Sequence, residues 1–342
     1  MVTGDLEQIQ AALQNNTGFD HPELWIDYAH RHGFKPTKAV LVAHCPDCSG
    51  APRRGIWGQY VYYSTLIHLL ECERCGLIWA DAHIDPDVIR THFELAYKSD
   101  SYFRQSRKAT FEHLATLVDN LAPRAARVLD IGGARGDLMA TVVGRRPDLR
   151  VTVHDLSKEA TDWAAMRHGF ATLTGDANVL ATHSDRYDIV VLSDVLYYEP
   201  KLPVLWSALR RLTRPGGSVV IRLPNKAHLI RLAQVWFRLT HGRLRRNLQD
   251  RVPFQNPEHI FIFRRGYLRS RLNAIGFSRI SFIPSPLTGA KWVAARSTVF
   301  ELASIVNHLS RQTLVLTPSM LVVGTSRGPA TRDGDDLEVA MK

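Results

Sequence analysis

The sequence predicts an α/β protein, a mostly parallel sheet with helices on both faces, preceded by a small metal-binding ribbon. Three stretches carry that expectation. RVLDIGGARGDL, from Arg127 to Leu138, sets a short apolar run directly before a cluster of glycines. Farther along, Ile189, Val190, Val191 and Leu192 follow one another without interruption, as in a strand covered on both faces. Ahead of both, the four cysteines of the chain fall as Cys45-x-x-Cys48 and Cys72-x-x-Cys75.

The glycine stretch organises the rest. Val128, Leu129 and Ile131 make a run too short for a helix, and it reads as a buried strand. Gly132, Gly133 and Gly136 then allow a tight turn and a close approach that a Cβ would forbid. Beyond them DLMATVVGRR has helical spacing, with Leu138, Met139 and Val142 on one face. A strand, a glycine turn and a helix in this order make a nucleotide crevice at the carboxyl ends of a parallel sheet. A dinucleotide fingerprint would need G-x-G-x-x-G or A, but its positions here hold Gly132, Ala134 and Asp137. A carboxylate at the third place repels the pyrophosphate that such a turn would cradle, which disfavours NAD and FAD.

The cysteine pairs lie 23 residues apart around a β-rich segment, Ile56 to Leu70. Two such knuckles can face one tetrahedral metal, and cysteine in all four places leaves no open position for chemistry. Cys45, Cys48, Cys72 and Cys75 are therefore expected to hold a structural zinc, with Gly76 suiting the second knuckle's turn. His44 and His68 are read as bystanders.

Asp130, Gly132 and Gly136 match the D-x-G-x-G-x-G motif of class I S-adenosylmethionine (SAM) methyltransferases, with Ala134 in place of the middle glycine. The segment after the ribbon resembles a bacterial branch of that family, which carries an N-terminal four-cysteine ribbon and acts on small molecules. Cys75, Gly76, Leu77, Pro86, Tyr97 and Tyr102 stand at matching places. The resemblance implies a Rossmann-like methyltransferase sheet whose last strand, SMLVVGTSR, runs antiparallel. It also implies SAM as cofactor, with Asp130, Gly132, Gly133 and Gly136 forming its loop.

Later strands supply further candidates. VTVHDLS ends in Asp155, about 20 residues past the glycine loop, where a carboxylate meets ribose hydroxyls. An N-terminal cap is the competing role for Asp155, although Ser157 can serve there. Leu156 is grouped with the cofactor contacts. By resemblance, Asp176 after TLTG accepts from the adenine amino group while the amide of Ala177 meets a ring nitrogen. The carboxyl end of RYDIVVLSDVLYYEP brings Ser193, Tyr197 and Tyr198 to the crevice. Many relatives have V-L-E-H there; Val195-Leu196-Tyr197-Tyr198 puts two phenols in place of that pair. The helix PVLWSALRRLTRPGG and the strand SVVIRLPN follow.

From Lys201 to Arg279 seventeen basic residues face two acidic ones, the main source of a formal net charge of +10. Within this quarter AHLIRLAQVWFRLTHG sets Leu229, Leu232, Ala233 and Trp236 on one helical face, with Arg231, Gln234 and Arg238 opposite. Such a helix suits a lid over the active site or, around 227–241, a peripheral contact with an anionic membrane. PEHIFIFRRGYLRSRLNAIGF resembles a signature of small-molecule methyltransferases, H-x-x-x-F and then a helix ending in G-F, matched at His259, Phe263, Leu268, Leu272, Gly276 and Phe277. His259 is then a candidate general base, beside Tyr198 and Tyr197, with loop ordering as its alternative role.

No run of eighteen apolar residues occurs, and MVTGDLEQIQ lacks the form of a signal peptide, so the sequence predicts a cytoplasmic location. The expected organisation is a helical segment at 1–42, the ribbon at 43–82 and a helical linker at 83–122. The methyltransferase domain follows at 123–327 with its lid around 225–256, and then a tail at 328–342. The expected reaction is methyl transfer from SAM to an O, N or C atom of a small molecule, sugar-bearing or lipid-linked. Two rivals stand beside it: an RNA methyltransferase using ribbon and lid to hold RNA, and a non-catalytic SAM-binding or partner-binding protein.

Overall fold

The computed structural model describes residues 40–62, 65–83, 107–227, 259–286 and 293–327, with positions 230, 235 and 239 between them. The expected N-terminal helices, most of the lid and membrane-contact segment, and the tail lie outside the described residues. Two sheets matter for the site. Seven strands in the order β12-β13-β10-β9-β6-β7-β8 form the larger one. They are β6 (Arg127–Ile131), β7 (Arg150–Asp155), β8 (Ala171–Thr174), β9 (Tyr187–Ser193), β10 (Thr213–Pro224), β12 (Phe277–Pro284) and β13 (Ser319–Ser326).

The uninterrupted apolar run becomes β9, fourth of the seven strands, and the order places it between β10 and β6. The order of strands reverses there: β6 to β8 step outward on one side, β9 and β10 on the other, and all these pairings are parallel. A ligand crevice belongs at that switch point, outside the carboxyl ends of β6 and β9. The closing strand β13 is antiparallel to β10 and β12, so it lies inside the sheet.

Alternation along the strands feeds two cores. Val128, Ile189 and Val191 pack with Leu114, Leu138 and Met139 of α1 (Lys108–Leu121) and α2 (Asp137–Arg145). Their neighbours Leu129, Val190 and Leu192 pack on the opposite face with Trp206 and Leu209 of α5 (Leu202–Leu212) and Leu268 of α6 (Arg265–Ala274). Between these lie α3 (Lys158–His168) and α4 (Ala177–Thr182), while α7 (Val293–Leu309) precedes β13.

The smaller sheet has the order β11-β4-β3-β2, from β2 (Pro52–Tyr62), β3 (Thr65–Cys72), β4 (Ile78–Ala80) and β11 (Phe261–Ile262). Its edge strand comes from far down the chain, with Phe261 opposite Trp79 and Ile262 opposite Ile78. Trp79 is fully buried in the same core as Trp206, and Arg264 pairs with Glu71 at 2.7 Å. The ribbon is thus sealed onto the large sheet by a shared core and a shared strand. Val40–Leu41 (β1) pairs with Ala82–His83 (β5), correcting the end of the segment expected to be helical: the pairing satisfies backbone groups that a helix end there would leave open.

Candidate active site

The glycine loop leaves β6 at Gly132, whose φ of +70° needs no Cβ. A Cβ there would lie 2.5 Å from a Val195 methyl, so the loop after β6 and the turn after β9 touch across the switch point. At Gly133 a Cβ would meet the Asp130 carboxyl at 2.7 Å. Ala134 takes the middle-glycine position with φ +49°, the left-handed region that a side chain disfavours.

Asp130 is buried, and neither of its oxygens has a hydrogen-bond partner among the described residues. Burial first, and then the neighbouring charge of Asp155, push its carboxyl up to about 8. It lines a cavity of about 30 Å³ together with Arg107, Gly132, Ala134, Asp137 and Ser193. That is room for a water or two. Asp137 also has a buried oxygen without a described partner, and burial raises its pKa. Two carboxyls facing this loop make it a poor cradle for phosphate.

Asp155 is 4% exposed, and its carboxylate accepts from the amides of Ala134 and Ser157, each at 2.9 Å. It therefore ties the glycine loop to the end of β7. Ser157 supplies the cap, accepting from the Ala160 amide at 3.3 Å, as its sequence position suggested. Leu156 stands at the rim, 43% exposed. Asp176 caps α4 through the Asn178 amide at 2.9 Å and pairs with Lys201 at 2.7 Å, which lowers its pKa. Ala177 begins that helix and is buried.

On the β9 side, the 3-10 turn Leu196–Tyr198 carries both phenols. Tyr197 is buried, with its phenol held well above the ordinary value by burial. Tyr198 is half-buried and reaches His259 Nε2 at 3.4 Å. Behind it, His259 Nδ1 lies 2.6 Å from Lys226 Nζ, and both residues are buried. Burial and the Lys226 charge hold the imidazole well below its usual pKa, so His259 is neutral around pH 7. The amide of Ile260 donates to the Tyr197 carbonyl, and that of Ala80 to the Ile260 carbonyl, each at 3.0 Å. The His259 segment is thereby pinned between the ribbon and the turn.

In the ribbon all four cysteine sulfurs lie within 4.8 Å of one another. Cys45 and Cys75 approach to 3.6 Å, Cys48 and Cys72 to 3.4 Å. Sulfurs bound at about 2.3 Å around one tetrahedral zinc would stand about 3.8 Å apart, so the set fits that ion. A Cβ on Gly50 would fall 2.7 Å from the Cys72 sulfur, so the first knuckle leaves the cluster its space.

Comparison with known proteins gives this arrangement its family. The model of a family described as a methyltransferase domain matches residues 102–281, more than half of the chain. The chain belongs to that family. The chain is 29% identical over 113 residues to the ubiquinone/menaquinone biosynthesis C-methyltransferase UbiE of Paracoccus denitrificans, covering 31% of this chain and 45% of the relative. It is 28% identical over 175 residues to the 23S rRNA (guanine(748)-N(1))-methyltransferase of Streptomyces fradiae, covering 47% and 58%. It thus spans about half the length of the curated relatives it matches. A solved complex of the Haloferax volcanii Trm112 methyltransferase activator with a methyltransferase superposes with a TM-score of 0.48, at 14% identity over 70% of this chain and 98% of that one.

Three residues at this candidate site are not marked in advance by sequence reasoning. Arg107 reaches the cavity from just ahead of α1, and nothing local marks it. Lys226 follows the strand-ending Leu223-Pro224-Asn225, a position that could have flagged it. Arg222, 2% exposed, pairs with Asp194 and donates to Ser285 at 2.9 Å, fixing the turn that carries the phenols. Asp194 itself has φ +60°, a local conformation held by that pairing.

Proposed function

We propose that this chain is a SAM-dependent methyltransferase that binds its cofactor at the glycine loop and methylates a small molecule beside Tyr198. One observation carries the reading: a buried carboxyl without a described partner, Asp130, lines the same cavity as Arg107. Those charges complement an amino-acid zwitterion, ammonium toward Asp130 and carboxylate toward Arg107. Asp155 and Leu156 are at the strand end where ribose and adenine would follow, with Asp176 and Ala177 beyond them. Ser193 completes the cavity wall.

When bound, SAM supplies an electrophilic methyl carbon. The chain then has to align an acceptor and exclude water, since orientation alone contributes a large part of such a barrier. Tyr198, half-buried on the turn that touches Gly132 through Val195, is placed to meet that acceptor. The four cysteines would hold zinc as a structural ion, its valences filled by protein.

The basic excess supports a small acceptor over RNA. Five of its described members are paired with acids: Lys201 with Asp176 and Arg214 with Asp188 at the surface, and Arg222 with Asp194, Arg264 with Glu71 and Arg271 with Asp47 deeper in. Guanidiniums spent in this way are not offered to phosphates. Relatives that act on rRNA keep the second reading alive, and salt dependence separates the two. No helix among the described residues is long and apolar enough to cross a membrane.

The test is calorimetry with SAM, followed by incubation of isotope-labelled SAM with cell extract and mass spectrometry for a product heavier by one labelled methyl group. Micromolar SAM binding and a labelled small molecule are expected. Absence of SAM binding overturns the reading, and label confined to RNA replaces the acceptor.

A further inference from the structure

We infer that Lys226 is a positioning residue that sets the tautomer of His259, so that Tyr198, not His259, takes the acceptor's proton. The inference rests on the methyltransferase reading for its meaning but not for its measurement. An ammonium has three donors and no acceptor, so Lys226 Nζ, 2.6 Å from His259 Nδ1, can only donate to it. A neutral imidazole that accepts at Nδ1 carries its proton on Nε2. That proton points toward the Tyr198 oxygen, 3.4 Å away, a distance that can shorten once an acceptor is bound.

The polarity of the row follows. Lys226 donates to His259, and His259 donates to Tyr198, so Nε2 has no lone pair with which to act as a base. Two donors in series aim positive charge at the phenol oxygen and favour its phenolate. Among the described residues, three further charged groups and one ring lie around the row. The Tyr197 ring lies 4.0 Å from the imidazole, and the Asp194, Arg222 and Arg107 charges act on Tyr197 from the turn, β10 and the start of α1. Asp194 is paired with Arg222, and among the described residues Lys226 is the cation in direct contact with the imidazole.

During transfer the acceptor's X–H bond gives its proton to Oη of Tyr198 as X bonds to the methyl carbon. The electron pair of the broken sulfur–carbon bond stays on sulfur, and Tyr198 is left as a neutral phenol. Such a base suits an acceptor whose nucleophilic oxygen or nitrogen carries a proton, and it narrows the substrate class to hydroxyl and amine compounds.

The experiment reads protonation directly on the full chain without cofactor or acceptor. Imidazole nitrogen-15 spectra of histidine-labelled protein, with His259→Asn to assign the signal among fifteen histidines, report the tautomer. A neutral Nε2–H form is expected between about pH 6 and 8. Lys226→Gln, whose amide can still donate, should keep it, and Lys226→Met should lose it. Tyrosine Cζ carbon-13 titration, assigned with Tyr198→Phe, should show Tyr198 titrating at least about one unit higher in Lys226→Met, a tenfold loss of phenolate at a given pH. An Nδ1–H tautomer or an imidazolium in the wild-type chain overturns the inference, as does a Tyr198 titration unmoved by the loss of Lys226. Should Lys226→Met fail to fold, the wild-type tautomer and the Lys226→Gln comparison still decide. A failure of the methyltransferase reading would appear elsewhere, as a chain that keeps this tautomer yet binds no SAM.

Discussion

The two sides of the switch point are built on opposite plans. At the end of β6 the residues are neighbours in the chain, from Asp130 to Asp137, and they are incompletely satisfied: buried carboxyl oxygens of both lack described partners. At the end of β9 the residues come from 28 to 61 positions apart, and they contact one another: Asp194 with Arg222, Tyr198 with His259, and His259 with Lys226. The first side is a socket whose charges call for a ligand. The second is a pre-set row that needs nothing from outside to hold its shape. The proposed methyl transfer would gain from this division, because a cofactor could change the socket while the row keeps the acceptor's frame constant.

The largest effect expected from breaking the comparison comes through the ribbon. β4 carries β11, and through Ile260 it holds the Tyr197–Tyr198 turn, so losing the four-cysteine centre should loosen the β9 side. Chelation, or Cys72→Ser, is expected to abolish methyl transfer while SAM affinity falls by less than about tenfold, since the neighbours seen around the loop glycines, Val195, Val153 and Phe170, belong to the large-sheet side. Hydrogen exchange and calorimetry together check this. Equal loss of both functions would show the two sides to be one unit.

Next in size is Asp130→Asn. Burial raises the folded pKa of Asp130 to about 8, while an unfolded carboxyl titrates near 3.9. Between those values the folded chain holds more protons than the unfolded one, so the stability of the ligand-free protein falls as pH rises through that window and levels off above it. A cationic ligand acts oppositely: it favours the carboxylate, and SAM affinity should rise with pH toward 8. Asn cannot ionise. The variant should be more stable than wild type at pH 8 by about 1–3 kcal/mol, bind SAM about 100-fold more weakly and lose the pH dependence of binding. Thermal melts against pH and calorimetry measure the three effects.

Arg107→Gln follows with about a tenfold loss of SAM affinity, because a half-buried guanidinium is more screened than the buried carboxyl. S-Adenosylhomocysteine should suffer equally, and an adenosine fragment without the amino-acid end should not. That contrast tells which end of the ligand Arg107 meets.

What the chain revealed in advance tracks the same division. The glycine turn, the strand ends at Asp155 and Ser193, the Ser157 cap and the four-cysteine cluster are local patterns, and spacing alone brought them to light. Asp176 was placed correctly at a strand end, but its pairing with Lys201, 25 residues on, has no local signature. Neither does the Lys226–His259 contact, which depends on how the end of β10 meets a loop held by the ribbon. His259 was legible as a candidate position, whereas its contact with Lys226 was not, because a tautomer is decided by a neighbour that the sequence does not put beside it.

The smallest effect concerns Ala134, and it tests whether the socket's one departure from the family motif matters. At φ +49° an alanine methyl carries a penalty of about 1 kcal/mol that glycine avoids, while glycine in turn gives the unfolded chain more freedom to lose. The two nearly cancel, so Ala134→Gly should change stability by less than about 1 kcal/mol in denaturant melts. Binding is the sharper readout. The Ala134 amide donates to Asp155 at 2.9 Å, and that contact fixes the loop against β7. If the methyl merely occupies free space, SAM affinity should be unchanged within about twofold. If it holds the loop in its left-handed bend, glycine should loosen the bend and weaken SAM binding about fivefold, with the change appearing as a less favourable binding entropy. The Asp155 contact favours the first outcome, since the anchor is a backbone amide that glycine retains.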